Sequence, residues 1–430
     1  EPTRPQPMMT TCIGITYSLT LSSMTESTRK SLHIGEIFRV EIEKVAHGGH
    51  FIARHEGAVI FVRHGIPGEV VEVEITGVEK SFARADVIAV IEPSSARITP
   101  ACHVAGKCGG CDFQHIDIAR QRELKSEVIS EQFARIAKME VDIEVEEVSS
   151  PLNWRTRYAA SSNARGEVGF KGSRSNEVIA INTCPVLIPE IDIETLPFEK
   201  IHSNKRIEVS LGTDGDRTVS VMEQRDSRTA QRATPKVVEG PSSLKYRVNE
   251  VEYTVSQSSF WQSNINAPEA LVSAVLEFAD LKAGDHLLDL YGGVGLFAGA
   301  ALPIIGPGGR VDIVEGSASA TDDARSNFAG AANVHVHTGD VAKEIRKFKR
   351  ADVIVLDPPR TGAGKPVIEA LGKIAARAIV YVACDPAALA RDVTYLREIG
   401  YHLEDIRALD LFPMTHHIES IALFTLSKVS

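Results

Sequence analysis

The chain has 430 residues, 43% of them hydrophobic and 24% charged, with a formal net charge of −10. That length allows two or three domains with separate cores, and the acidic balance excludes a generally basic nucleic-acid coat, so any nucleic-acid surface must be local. No apolar run approaches membrane-spanning length, and six cysteines are too few for a secreted disulfide scaffold of this size, which points to a cytoplasmic protein. The first 23 residues lack the basic start, apolar core and cleavage site of a signal peptide. Residues 1–31 read as a disordered leader, with Met24 as a natural beginning.

Residues 32–92 read as a small β-barrel. Stretches 34–45 and 69–76 alternate apolar and polar residues, and Gly48-Gly49, Gly57, Gly65 and Pro67-Gly68 punctuate the strands. Small closed sheets often bind RNA, but the pattern alone says only barrel. The phrase His47-Gly48-Gly49-His50-Phe51-Ile52-Ala53-Arg54, with Ile66-Pro67-Gly68-Glu69 behind it, resembles the TRAM domain. That resemblance implies an OB-like, RNA-binding barrel.

Residues 93–258 read as a cysteine-cluster and central domain. It begins with Cys102-x5-Cys108-Gly109-Gly110-Cys111, whose grouping in a reducing compartment reads as metal binding. A helix is predicted over 117–138, then a mixed α/β region with short strands. Within it, residues 151–175 are locally basic: Arg155, Arg157, Arg165, Lys171 and Arg174 face only Glu167. Trp154 and Tyr158 interleave with the arginines, which suits phosphate contact and base stacking, or else a solvated basic face.

From residue 259 to 430 the pattern becomes alternating helix and strand, which predicts a parallel, doubly wound sheet. A helix is predicted over 268–278 and strands over 286–290, 311–314, 334–336, 353–356, 378–383 and 418–426. Ligands of such sheets bind outside the carboxyl ends of the strands, and the chemically suggestive residues fall there. The first strand leads into Asp289-Leu290-Tyr291-Gly292-Gly293-Val294-Gly295, and the second into Glu315, suited to ribose hydroxyls. The third leads into Gly339-Asp340, the fourth into Asp357-Pro358-Pro359-Arg360 and the fifth into Cys384. The glycine loop also fits a dinucleotide fingerprint, so a nicotinamide-dependent oxidoreductase is an alternative. Asp-Pro-Pro after the fourth strand fits a nucleobase methyltransferase better.

Cys384 sits between a strand and a helix that Asp385 caps and Pro386 begins. That position favours a thiolate through the helix dipole; an inert buried thiol is the rival reading. Beside S-adenosylmethionine a thiolate has a specific use. Carbon 5 of uracil is a weak nucleophile until a thiolate adds to carbon 6, after which a base must remove the carbon 5 proton. Glu419, in His416-His417-Ile418-Glu419, is the candidate base.

With these motifs the chain resembles the uracil-5 methyltransferases of RNA, from about residue 32 to its end. Phe260-Trp261-Gln262-Ser263-Asn264 is similar to the family's Phe-x-Gln-x-Asn motif. The resemblance implies an α/β fold: a C-terminal class I, Rossmann-like methyltransferase domain, an N-terminal OB-like β-barrel and a mixed α/β central domain. It implies Cys384 as nucleophile and Glu419 as general base. It implies Gln262, Tyr291, Glu315, Asp340 and Asp357 as S-adenosyl-L-methionine contacts. Cys102, Cys108, Cys111 and Cys184 resemble the ligands of a [4Fe-4S] cluster in the rRNA-acting branch, although thiolate spacing alone also suits zinc. The implied partner is RNA, 23S rRNA ahead of tRNA; a non-catalytic RNA-binding protein is the remaining alternative. Family members often carry Asn where this chain has Asp385, a charge that would oppose a neighbouring thiolate.

Overall fold

The computed structural model describes residues 32–223 and 235–426. The expected leader over 1–31 lies outside the described residues. The first five strands, β1 (Ile37–Ala46), β2 (His50–His55), β3 (Ala58–Arg63), β4 (Val70–Val78) and β5 (Ala83–Glu92), form a closed barrel in the order β1-β2-β3-β5-β4. Alternation does the work: Val40, Ile42, Phe51, Ala53, Ile60, Val62, Val71 and Val73 all point inward and are buried. Buried Glu69 closes the exit. Its carboxylate accepts from the Ile66 and Ser94 amides and from Arg97, whose Nε lies 2.6 Å away.

Helix α1 (Ile118–Gln132) follows the cysteine loop. The Asp117 carboxylate caps it by accepting from the Ala119 amide, and it runs through a wider turn to Lys138, in the left-handed conformation at φ 54°. Strand β6 (Val145–Glu147) comes next. Then β7 (Arg157–Ser162), β8 (Val168–Lys171), β9 (Val178–Ala180), β10 (Lys205–Leu211), β11 (Arg217–Glu223) and β12 (Lys236–Glu239) make a six-stranded sheet in the order β12-β11-β10-β7-β8-β9. Strands β13 (Ser243–Val248) and β14 (Val251–Ser256) form a separate hairpin.

The C-terminal part runs α2 (Ala267–Ala279), β15 (His286–Leu290), α3 (Leu296–Ile305), β16 (Arg310–Glu315), α4 (Ala318–Asn327), β17 (Val334–Thr338), α5 (Val341–Glu344), β18 (Val353–Leu356), α6 (Lys365–Ile374), β19 (Ala378–Ala383), α7 (Pro386–Glu398), β20 (Tyr401–Asp410) and β21 (Glu419–Leu426). Its eight-stranded sheet has the order β17-β16-β15-β18-β19-β21-β20-β6. Strands β15 to β19 pair in parallel, and β21 runs antiparallel between β19 and β20. β6, from far upstream, completes the edge beside β20.

One apolar cluster joins α2, α3 and the β13–β14 hairpin to one face of this sheet. Another runs from the barrel through α1 to α6, α7 and the opposite face. The barrel therefore shares a core with the sheet rather than hanging from it. None of the described helices is long and apolar enough to cross a membrane.

Candidate active site

The strand order reverses between β15 and β18, and the carboxyl ends of β15, β16, β18 and β19 face one crevice. Tyr291 opens the loop after β15 in the left-handed region at φ 59°, and Gly293 follows at φ 55°. A side chain on Gly292 would come within 2.8 Å of Ile313 and 2.9 Å of the Asp289 carboxyl carbon, whereas Gly293 opens onto empty space. The loop is thus packed tight on the sheet side and open toward the crevice. Glu315 holds it there, accepting from the Gly293 amide at 3.2 Å and the Ser317 amide at 2.6 Å.

Three carboxylates gather beneath this loop. Burial, with the charge of Glu315 added, pushes Asp357 up to about 7. Asp289 is fully buried and also pushed up to about 7 by burial; the Ala298 amide opposes the shift, and Asp357 and Glu315 add to it. Its Oδ1 has no partner among the described residues. Acidic groups so placed, beside a loop with open space over it, fit a ligand that brings positive charge and hydroxyl donors, as S-adenosylmethionine does. Asp340 caps α5 through the Lys343 amide, and its charge acts on the Tyr291 phenol, which burial raises to about 12. Half-buried Gln262 is held between two anchors. Trp261 stacks on Tyr246 at 4.7 Å, and the Asn264 amide donates to the Leu411 carbonyl at 2.9 Å.

At the end of β19, Ala383 pairs with Ser420 of β21. Continued by one residue, that antiparallel register sets Cys384 opposite Glu419, so the two share one face. Glu419 is buried. Burial and then Asp357 push its carboxyl well above the ordinary range, while Arg360 opposes them. Burial pushes the Cys384 thiol up to about 12, with Glu419 and Asp357 adding to the shift and Arg360 again opposing it. Desolvation and these two acidic neighbours thus act against the thiolate that the α7 helix end favours.

A cavity of about 150 Å³ lies against Cys384. The His47–Gly49 turn of the barrel, Lys125 of α1, Arg360 and His416-His417 line it. Burial pushes His417 down to about 3, with His416 and Arg360 helping. Its neutral Nε2 accepts from Arg360 Nη2 at 3.2 Å. A second cavity, of about 260 Å³, is lined by Cys102, Cys108, Cys111 and Cys184 together. Cys108 bridges to Gly172, which ties the cysteine loop to the central sheet. Burial raises Cys111 to about 12 and Cys184 to about 11, and each is raised further by the other cysteines. Among the described residues, no group of three or more His, Cys, Asp or Glu side chains could hold a metal ion as placed.

The family model for the TRAM domain matches residues 32–88, and that for tRNA (Uracil-5-)-methyltransferase matches residues 241–427. An RNA methyltransferase of Streptomyces avermitilis is 39% identical over 431 residues, covering 91% of this chain and 98% of the relative. The chain belongs to the RNA uracil-5 methyltransferase family. The 23S rRNA (uracil(1939)-C(5))-methyltransferase RlmD of Shewanella sp. (strain MR-7) is 32% identical to it, covering 90% of this chain and 95% of that protein. The methyltransferase also shares its fold with the tRNA (uracil-54, C5)-methyltransferase of Pyrococcus abyssi, solved in complex with S-adenosyl-L-homocysteine. That likeness has a TM-score of 0.69 at 23% identity and covers 90% of this chain and all of the other. A class I sheet with an N-terminal barrel and a mixed central region is the expected fold, and S-adenosylmethionine the expected cofactor. The nicotinamide and non-catalytic alternatives are set aside.

The methyltransferase thus brings Cys384, Glu419, Asp357 and Glu315 to one edge. Sequence reading missed Asp289 as a buried acid of this site, although Asp289 opens the glycine motif it quoted. It also missed that the barrel turn reaches Cys384. One supporting reading fails: Trp154 and Tyr158 are 1% and 5% exposed, in the core of the central domain, so neither can stack on a base. Tyr158 lies on the inward face of β7, and Trp154, just before that strand, packs into the same core.

Proposed function

We propose that this methyltransferase forms 5-methyluridine through Cys384 and Glu419. The observation that carries the reading is the β19–β21 register, whose last pair, Ala383 with Ser420, leaves Cys384 and Glu419 as the next residue on each side, with the Glu419 charge acting on the thiol beside the acidic crevice. S-adenosylmethionine supplies the methyl group. Cys384 adds to carbon 6 of the target uracil, making carbon 5 nucleophilic, and Glu419 as carboxylate takes the carbon 5 proton so that the thiolate can leave. Tyr291, Glu315, Asp357 and Gln262 hold the cofactor, with Asp340 at the margin. The target uridine leaves its stack to reach the thiol.

The test is direct. Glu419→Gln accumulates a covalent RNA adduct that survives denaturation, and Cys384→Ala forms none. Wild type and both variants behaving alike would sink the mechanism.

The substrate we favour is 23S rRNA, because the relative named for that substrate aligns over most of both chains and the barrel accompanies it. Mapping 5-methyluridine in rRNA and tRNA from a strain lacking the protein tests this; loss from tRNA alone reverses it. We further read the four-cysteine cavity as the seat of a [4Fe-4S] cluster with a structural role. Four thiols facing one space, Cys184 buried and the other three half-buried, need a cationic partner to ionise together, and a cubane spans more room than a single zinc ion. Iron and sulfide analysis of anaerobically purified protein, against Cys184→Ser, checks it: a wild type without iron refutes the cluster.

A further inference from the structure

The barrel reaches the nucleophile through one side chain. His47 lies in the turn between β1 and β2, and its Nε2 donates to Asp385 Oδ2 at 3.1 Å across 338 residues of chain. The other Asp385 oxygen accepts from the Ala388 amide at 2.8 Å and caps α7. Both oxygens of the carboxylate next to Cys384 are therefore taken, one by the helix and one by the barrel. Burial raises that carboxyl, but His47 and the Ala388 and Ala387 amides overcome it and hold it below its ordinary value.

The turn itself is pinned. Gly49 sits at φ 77°, and a Cβ there would fall 2.2 Å from Asp112 Oδ2 and 2.6 Å from His416 Nδ1. Asp112 in turn accepts from the His416 amide at 2.9 Å and is bonded to its ring. Only glycine fits between the barrel turn and the Asp112–His416 pair. Other charged or titratable groups around this space are Lys125, Arg360, His416 and His417 on the cavity side, and Glu419 and Asp357 on the thiol side.

We propose that His47 is a positioning residue for methyl transfer: it binds the Asp385 carboxylate, keeps that charge turned from Cys384, and so makes the docked barrel part of the nucleophile's setting. The inference rests on Cys384 being the nucleophile. Without His47, one Asp385 oxygen loses its partner and is free to turn toward the thiol, where a carboxylate favours the protonated form; one unit of such a shift is about tenfold less thiolate. With the Asp385→Asn substitution there is no charge to hold, so His47 matters little.

The experiment is a double-mutant cycle on the full chain: His47→Ala, Asp385→Asn and both together, with His47→Gln as rescue. Two rates are read. One is single-turnover methylation at saturating RNA, using whichever of 23S rRNA and tRNA, isolated from a strain lacking the protein, the wild type modifies. The other is labelling of Cys384 by iodoacetamide without RNA, followed on its peptide by mass spectrometry. His47→Ala should lower both about tenfold when Asp385 is present and less than about twofold in the Asp385→Asn background, and Gln should restore most of the loss. Equal losses in the two backgrounds would overturn the inference. So would weaker RNA binding with both rates intact, which makes His47 an RNA contact only. If labelling responds as expected while Cys384→Ala still methylates, the His47–Asp385 contact tunes the thiol but the nucleophile assignment falls, and the role of His47 in methyl transfer falls with it.

Discussion

Arg360 is the group that opposes the acidic character of the Cys384 site, and removing it has a calculable consequence. It lowers the proton affinity of both the Cys384 thiol and the Glu419 carboxyl, each otherwise raised by burial and by neighbouring carboxylates. An opposite charge at short range is worth about 1–3 pKa units, and the outer end of Arg360 is exposed, so solvent screening puts the effect at the lower bound. One unit is about 1.4 kcal/mol, or tenfold less thiolate at any pH below the thiol's own. In Arg360→Ala, single-turnover methylation should fall about tenfold at neutral pH. The rate should climb with pH in wild type and variant alike, because the proposed mechanism uses both Cys384 and Glu419 in their deprotonated forms. In the variant that climb should be displaced about one unit to higher pH, so the two curves converge at the alkaline end. Arg360→Lys keeps the charge and should restore most of the rate, although it loses the bond to His417. The assay is rate against pH at saturating RNA. A uniform drop at every pH, or a drop in RNA affinity alone, would refute the electrostatic role.

Other perturbations follow from the same contacts. Asp312 is fully buried and bonded to His286, Arg310 and His337, and although burial opposes it, these donors depress its carboxyl far below the ordinary value. Asp312→Asn should cost about 3 kcal/mol in urea unfolding at neutral pH, and because the folded pKa is the depressed one, that gap should persist down to about pH 4 and close only below it. Lys125 and Asp410 form a buried pair at 2.6 Å. Lys125→Met alone should destabilise by about 3–5 kcal/mol, whereas Lys125→Met with Asp410→Leu should recover most of that in the same unfolding measurement. Gly49→Ala meets both a left-handed backbone and the Asp112–His416 pair; it should cost about 2 kcal/mol or more and lower methylation, and a variant as stable and active as wild type would refute the pinned turn.

The elements were legible wherever periodicity was local. The predicted strand over 286–290 has its observed bounds, and the helix over 117–138 appears as α1 with its wide final turn. Strand β20 was not read, because Tyr401–Asp410 mixes its buried and exposed positions around a break in pairing between Leu403 and Asp405. β6 was not readable as part of the C-terminal sheet at all. Three residues carry no period, and their partners, Ala408 to Asp410, lie more than 260 residues downstream. The same holds for the β13–β14 hairpin, whose alternation says strand but not which core Leu244, Tyr246 and Tyr253 enter.

The site divides along the same line. Which residues meet could be read from strand ends, since a parallel sheet delivers every loop after a strand to one edge. What those residues do as acids could not. The helix dipole at Cys384 belongs to the local chain, whereas the charges around the thiol come from Glu419 on the neighbouring strand β21 and Asp357 after β18. Asp385 shows the converse. Read from the sequence, it is a charge beside a thiolate; in the fold its two oxygens are bound by α7 and by a histidine from the barrel. A carboxylate's effect on its neighbour depends on where its oxygens point, and that is settled by a residue 338 positions away.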